Sequence, residues 1–248
     1  DKSSESAEPG YYTVALQRSG VQAELTASLH AGFHRYTYPI ADSATLLLDM
    51  VNGIYGYEGK VLWSSIRVEN DTLITGYRHV SGWARDRYVY FAASFSRPLA
   101  HYRSQKNDEV PYRGFYRRFH EDRNFPEMAG RTLRAEFTFA PSEDPLEVVF
   151  AISGVSTAGA LDNLREEAMP FAQAKFLAQQ QWTDVLGKIQ GEFMHPADKT
   201  TFYTALYHSL LAPHVFQDVT GLYRGVDGNV HRAEGFTNLT VFSLWDTY

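Results

Sequence analysis

The residues of this chain best suited to chemistry are Trp245 and Asp246, which follow the apolar run Thr240-Val241-Phe242-Ser243-Leu244. A tryptophan offers a broad flat apolar face, and an aspartate offers a pair of hydrogen-bond acceptors. Those are the two things a sugar ring asks of a site: a wall for its carbon face and acceptors for its hydroxyls. The structural alternative for the same pair is a Trp at a core edge and an Asp capping the next helix. Trp83 is the second candidate. It stands between Gly82 and Ala84 at an expected strand end, where a ring flanked by small residues can project into a pocket or turn into the core.

Hydrolysis of a glycosidic bond needs two carboxyl groups flanking it, one protonated and one ionised. No local pattern singles out such a pair. Asp86, Glu121, Asp122, Asp144 and Glu166 all read as turn or surface residues, so no catalytic residue is assigned in this chain. His30 and His34 lie four apart in a stretch that reads as strand, where they would stand ~13 Å apart and could not share a metal. His195, His208 and His214 lack helical ligand spacing. Asp218 to Gly228 is acidic and glycine-rich but departs from the calcium-loop pattern at its third and fifth positions, so it reads as a turn. No metal ligand is assigned. The chain has no phosphate-cradling glycine loop, no nucleophile elbow and no cysteine, which excludes disulfides, thiolate metal sites and cysteine nucleophiles.

Charge narrows the partners. A formal net charge of −6 argues against a nucleic-acid partner, because no strong basic patch would draw phosphates. The basic cluster Arg113, Arg117, Arg118, Arg123 is diluted by Glu121 and Asp122 and reads as a solvated face. No apolar run approaches the ~20 residues of a membrane-spanning helix. Aromatic content of 15% suits β-structure first and carbohydrate contact second, since both use a flat apolar face.

The elements that must position these residues change character once along the chain. From Tyr11 to about Ser153, apolar residues alternate with polar ones. Val21, Ala23, Leu25, Ala27 and Leu29 do so, as do Val89, Phe91, Ala93, Phe95 and then Leu133, Ala135, Phe137, Phe139. A period of two with one wet face, broken by Arg18-Ser19-Gly20, Asn52-Gly53, Glu69-Asn70-Asp71 and Pro141–Pro145, predicts antiparallel sheets packed as a sandwich. Ala44–Val51 and Glu147–Ile152 are more continuously apolar and read as central strands. Ser104–Arg131, with Pro111 and Pro126, reads as a long loop or an extra hairpin. At Ser156 the period becomes helical. Thr157–Ala168 predicts a short helix with Asp162, Glu166 and Glu167 exposed. Pro170 opens another, with Phe171, Ala174, Ala178, Trp182, Val185 and Ile189 on one stripe. A third helix is expected over Lys199–Ala212, with Phe202, Ala205, Leu206 and Ser209 on one face. Three units follow: 1–155 sandwich, 156–194 helical linker, 195–248 the opening of a further domain.

Motifs in order support a family resemblance. They are Glu5, Ala7 and Pro9-Gly10-Tyr11-Tyr12, then Gly32-Phe33-His34-Arg35-Tyr36, then Ser81-Gly82-Trp83-Ala84 followed by Val89-Tyr90-Phe91. Further on come Phe202-Tyr203-Thr204-Ala205-Leu206-Tyr207-His208, Tyr223-Arg224-Gly225 and Ser243-Leu244-Trp245-Asp246-Thr247. Together they resemble family 92 of the glycoside hydrolases, the calcium-dependent exo-acting α-mannosidases, over nearly the whole chain. The resemblance implies a supersandwich-like β-sandwich, linker helices and the first part of an (α/α)6 barrel, truncated here. It implies an inverting, α-1,2-mannosidase-like enzyme that removes terminal mannose from glycans. By the same resemblance, Trp245, Asp246 and Trp83 bind substrate, with Trp245 and Asp246 in the terminal-mannose subsite. The catalytic acid and base and most ligands of the implied Ca2+ fall downstream, so the chain alone is expected to be inactive. Export is implied too, with the signal peptide absent from this chain; the oligomeric state is left open. The alternative is a non-catalytic β-sandwich that binds carbohydrate or scaffolds a partner.

Overall fold

The structure is a computed structural model that describes residues 2–39, 44–53, 56–82, 86–105 and 124–240. Among these, nine strands form one antiparallel sheet: β1 (Ser6–Glu8), β2 (Tyr11–Leu16), β3 (Val21–Ala27), β4 (Ala31–Thr37), β12 (Leu146–Ser153), β8 (Arg87–Phe95), β7 (Leu73–Val80), β6 (Val61–Asn70) and β10 (Glu127–Gly130), in that spatial order. A second sheet orders β5 (Ala44–Asp49), β11 (Arg134–Phe139) and β9 (Leu99–Gln105). The expected sandwich is present. Its interior is where the alternating residues meet: Phe91, Ala93 and Phe95 of β8 and Leu146 and Val148 of β12 face Ala135, Phe137 and Phe139 of β11. Phe95 packs edge-on to Phe139 with ring centroids 5.2 Å apart, a favoured aromatic geometry.

The other face of the large sheet is covered, over β3, β4, β12 and β8, by helices α1 (Thr157–Glu167) and α2 (Phe171–Leu186). Ala31, Phe33, Ala92 and Ala151 of the sheet pack there against Ala160, Leu164, Phe171 and Ala174. This explains the continuous apolar reading of β12, which is buried on both faces: Val148 looks into the sandwich, while Ala151 lies under the helices. It also corrects the reading of β3, whose even-numbered face is not wet. Thr26 is buried, its Oγ1 donating to the Gly10 carbonyl. Glu24 accepts two hydrogen bonds from Arg35 and one from the Tyr11 hydroxyl, all at 2.7 Å.

Helix boundaries follow from local chemistry. Ser156 caps α1 by accepting from the Gly159 N–H, and Pro170 forbids continuation of α1 while starting α2. The first N–H of α2, at Phe171, is taken by the Glu147 carboxylate at 3.2 Å, an anion at a helix N-terminus. Gly10, at φ +82°, lets α2 lie on the β1–β2 turn; a Cβ there would come 2.9 Å from the Ala178 backbone.

Three expectations are revised. The Ala44–Val51 segment yields an edge strand, β5, whose Leu47 is 54% exposed. Within Ser104–Arg131, Glu127–Gly130 forms the strand that pairs with β6. Helix α3 (Pro196–Ser209) begins three residues earlier than Lys199 and stops short of Ala212. Pro196 at its first turn is the signal that sets the start. The α2 stripe is buried only at Phe171, Ala174 and Ala178, and α3 buries none of its residues. No described helix is long and apolar enough to cross a membrane.

Candidate functional site

Beyond α3 the chain folds back over the junction between α1 and the large sheet. Strands β13 (Leu222–Arg224) and β14 (Val230–Arg232) make a small hairpin, and Val215 bridges Leu239. The return segment, 214–240, is fastened by one buried carboxylate. Asp218 is 3% exposed. Its Oδ2 accepts from Ser153 Oγ at 2.8 Å and its Oδ1 from Asn163 Nδ2 at 3.0 Å. Asn163, fully buried in α1, also donates to the Ile152 carbonyl and accepts the Val219 N–H. Arg224 completes the seam by donating to the carbonyls of Gly154 and Val155. Gly159 makes room: a Cβ there would sit 2.1 Å from Asp218 Oδ2.

A second fastening lies a few residues away. The Glu167 carboxylate, at the end of α1, meets His30 Nδ1 and Ser28 Oγ and accepts the His30 N–H. His30 Nε2 lies 2.7 Å from the Gln217 carbonyl. Hydrogen bonding to Glu167 raises the His30 pKa against the opposing effect of burial. Burial pushes Glu167 upward, but the hydrogen bonds from His30 and Ser28 outweigh it and hold the carboxyl below its usual range. Burial raises Asp218 in spite of its donors. Its ionisation therefore opposes folding above the ordinary aspartate range, and that penalty disappears as the pH falls through its folded pKa.

These carboxylates border two depressions. One is an open cleft of about 820 Å³ whose rim includes Asp162, Glu166, Glu167 and Asp218. The other is a cavity of about 310 Å³ beneath the return segment, whose walls include Arg87, Tyr88, Ser153, Phe216, Tyr223 and Thr240. Three of the four rim carboxylates have protein partners. Glu167 and Asp218 spend both oxygens on protein donors, and Asp162 is paired with Arg165.

Trp83, Trp245 and Asp246 lie outside the described residues. Their nearest described neighbours along the chain are informative. The β7–β8 hairpin that carries Trp83 rises from an aromatic row: His79 stacks on Tyr88 at 4.0 Å and 8°, and Tyr88 stacks on Tyr90 at 5.8 Å. Asp86 binds His79 across the base of that hairpin. On the other side, Thr240 is held by His214, N–H to carbonyl, at 2.8 Å. Tyr88 and Thr240 line the same 310 Å³ cavity. Tyr11 packs on the helix-covered face of the sheet. Sequence reasoning missed Asp218, Asn163, His30 and Glu167. It took Asp218 for a turn residue and Glu167 for an exposed one. The available signal was Asn163, a poor helix former on the apolar side of a short helix.

Residues 1–153 match the model of the glycosyl hydrolase family 92 N-terminal domain, and residues 159–248 match that of the family 92 catalytic domain. The chain belongs to glycosyl hydrolase family 92. A solved structure of the family GH92 α-mannosidase BT3965 from Bacteroides thetaiotaomicron is 38% identical, with a TM-score of 0.86, over 100% of this chain and 33% of that one. The same enzyme is known in complex with mannoimidazole. The inverting GH92 mannosidase BT2199 from Bacteroides thetaiotaomicron shares the fold at 24% identity and a TM-score of 0.80, over 97% of this chain and 31% of that one. This chain thus spans about a third of the length of these relatives. No curated protein matches it.

Proposed function

We propose that this chain is the N-terminal portion of an exo-acting, inverting α-mannosidase of the α-1,2-mannosidase-like kind, exported from the cytoplasm, which trims terminal mannose from glycans. The observation that carries the reading is the likeness to an α-mannosidase at 38% identity along the whole chain. In this reading Trp245 supplies the apolar wall of the terminal-sugar subsite and Asp246 accepts hydrogen bonds from ring hydroxyls, while Trp83 approaches from the β7–β8 hairpin. The shared cavity supports that convergence, because the roots of both segments line it. Its 310 Å³ falls within the ~300–1,000 Å³ of small-molecule sites.

Inversion requires a carboxylic acid and a carboxylate about 6.5–9.5 Å apart with a water between them. Glu167 and Asp218 are engaged by protein donors, and this reading assigns the pair, by resemblance, to residues downstream of Asp246. Calcium, implied by the resemblance, finds no cage here: no three side chains of His, Asp or Glu converge among the described residues. The alternative of a non-catalytic binding module is disfavoured by the match of residues 159–248 to a catalytic domain.

The test is release of mannose from an α-mannoside, with and without calcium. The comparison is between the 248-residue chain and the protein carrying a complete catalytic domain. Release by the longer protein alone is expected. Turnover by the 248-residue chain would show that the acid–base pair lies within it, and silence from both would overturn the mannosidase reading.

A further inference from the structure

The two ring nitrogens of His30 face acceptors only. Nδ1 meets the Glu167 carboxylate, and Nε2 lies 2.7 Å from the Gln217 carbonyl oxygen. A neutral imidazole carries one N–H, so either neutral tautomer would set a nitrogen lone pair against an oxygen lone pair. Only a pair that holds one more proton satisfies both contacts. The Glu167 carboxylate also accepts the His30 N–H at 3.0 Å and the Ser28 hydroxyl, which favours its ionised form. The extra proton therefore belongs on the ring. His30 and Glu167 are 12% and 13% exposed, so water cannot readily replace either partner.

We propose that His30, as an imidazolium, is a proton-operated latch between the end of α1 and the return segment 214–240, closed at mildly acidic pH and loosened as the pH rises.

The charged groups around the latch work in the same direction. From α1, Glu167 touches the ring, and Asp162 and Glu166 share the cleft with it, Arg165 being turned to Asp162. From the return segment, Asp218 adds a further negative charge that favours the cation. Arg87 of β8 and Arg224 line the cavity that His30 also borders, but Arg224 is engaged by the backbone carbonyls of Gly154 and Val155. His214 lines that cavity as well.

The His30 pKa is raised on folding. Its contribution is thus complete below the unfolded histidine value of ~6.5 and is lost as the pH climbs through the folded one. The Glu167 pKa is lowered on folding. Its share is present above the unfolded value, ~4.3, and is lost as the pH falls through the folded one. The latch is closed between those limits. A segment so fastened would seat the opening of the catalytic domain on the sandwich most firmly in acid. The inference does not depend on the mannosidase reading, and its test involves no sugar.

Two measurements on the intact 248-residue chain decide it. The first is the 15N spectrum of the His30 ring between pH 5 and 9. Two protonated nitrogens are expected at pH 6, and a neutral ring at pH 6 overturns the proposal. The second is hydrogen exchange of the Val219 amide, which is held by Asn163 on α1 and opens when the segment lifts. After correction for intrinsic exchange, its protection should fall by up to about tenfold per pH unit between the unfolded histidine value and the folded His30 pKa, and level off above it. Glu167→Gln should flatten that dependence while leaving the β11 amides protected. Protection that stays constant from pH 6 to 9, or a slope unchanged in Glu167→Gln, overturns the latch. Should Glu167→Gln fail to fold, the wild-type spectrum and exchange profile decide alone.

Discussion

Asp218 shows how a single side chain can carry a junction. It is buried, no basic side chain pairs with it among the described residues, and it depends on Ser153 and Asn163 for both oxygens. Removing it strands those donors, which costs about 1–3 kcal/mol. Asp218→Ala should therefore lower the melting temperature by several degrees, at ~2–4 °C per kcal/mol for a chain of this size. Gly159→Ala should cost at least as much, because its Cβ collides with the same carboxylate. The double variant should cost clearly less than the sum, since one change removes what the other strikes; strict additivity in thermal melts would show that the two do not share the space. None of this was legible in the chain. Asp218 sits in a run of turn formers, and burial by a segment 65 residues away leaves no local mark.

At the scale of elements, α1 and α3 are opposites. α1 is capped, fixed to the sheet by Ala160 and Leu164, and overlaid by the return segment. α3 buries no side chain, and an isolated 14-residue helix is marginal in water. Hydrogen exchange should find α3 opening near the low end of the stability range and α1 near the global value; equal protection in the two would contradict this. The charge at the start of α2 is smaller in effect. Glu147→Gln should cost about 0.3–1 kcal/mol, measurable by chemical denaturation. The existence of the helices was legible because the apolar period changes at Ser156 and Pro170 is unambiguous. Their depth was not. A stripe such as Phe202, Ala205, Leu206, Ser209 records that a helix has an apolar side, not which partner covers it.

For the whole molecule, the sheets follow from period-two patterning so directly that Leu133, Ala135, Phe137 and Phe139 are all fully buried, as their alternation requires. Phe137→Ala, at the centre of the sandwich, should cost about 3–5 kcal/mol in a denaturant titration. What patterning could not show was which strand residues the helices on the second face would cover. Polar residues such as Glu24 and Thr26 look solvated until α2 is placed. The proposed substrate subsite rests on residue types and a family likeness alone: Trp245, Asp246 and Trp83 come from the sequence and lie outside the described residues.

We have proposed that Asp246 accepts hydrogen bonds from the terminal mannose. This is tested most directly by Asp246→Ala in the protein that carries the complete catalytic domain, with kcat/KM and melting temperature measured side by side. A hydrogen bond to a charged group is worth roughly 1.5–3 kcal/mol, so kcat/KM should fall about ten- to a hundredfold while the melting temperature stays where it was. A lowered melting temperature with near-normal kcat/KM would mean that Asp246 caps a helix, and would contradict the account.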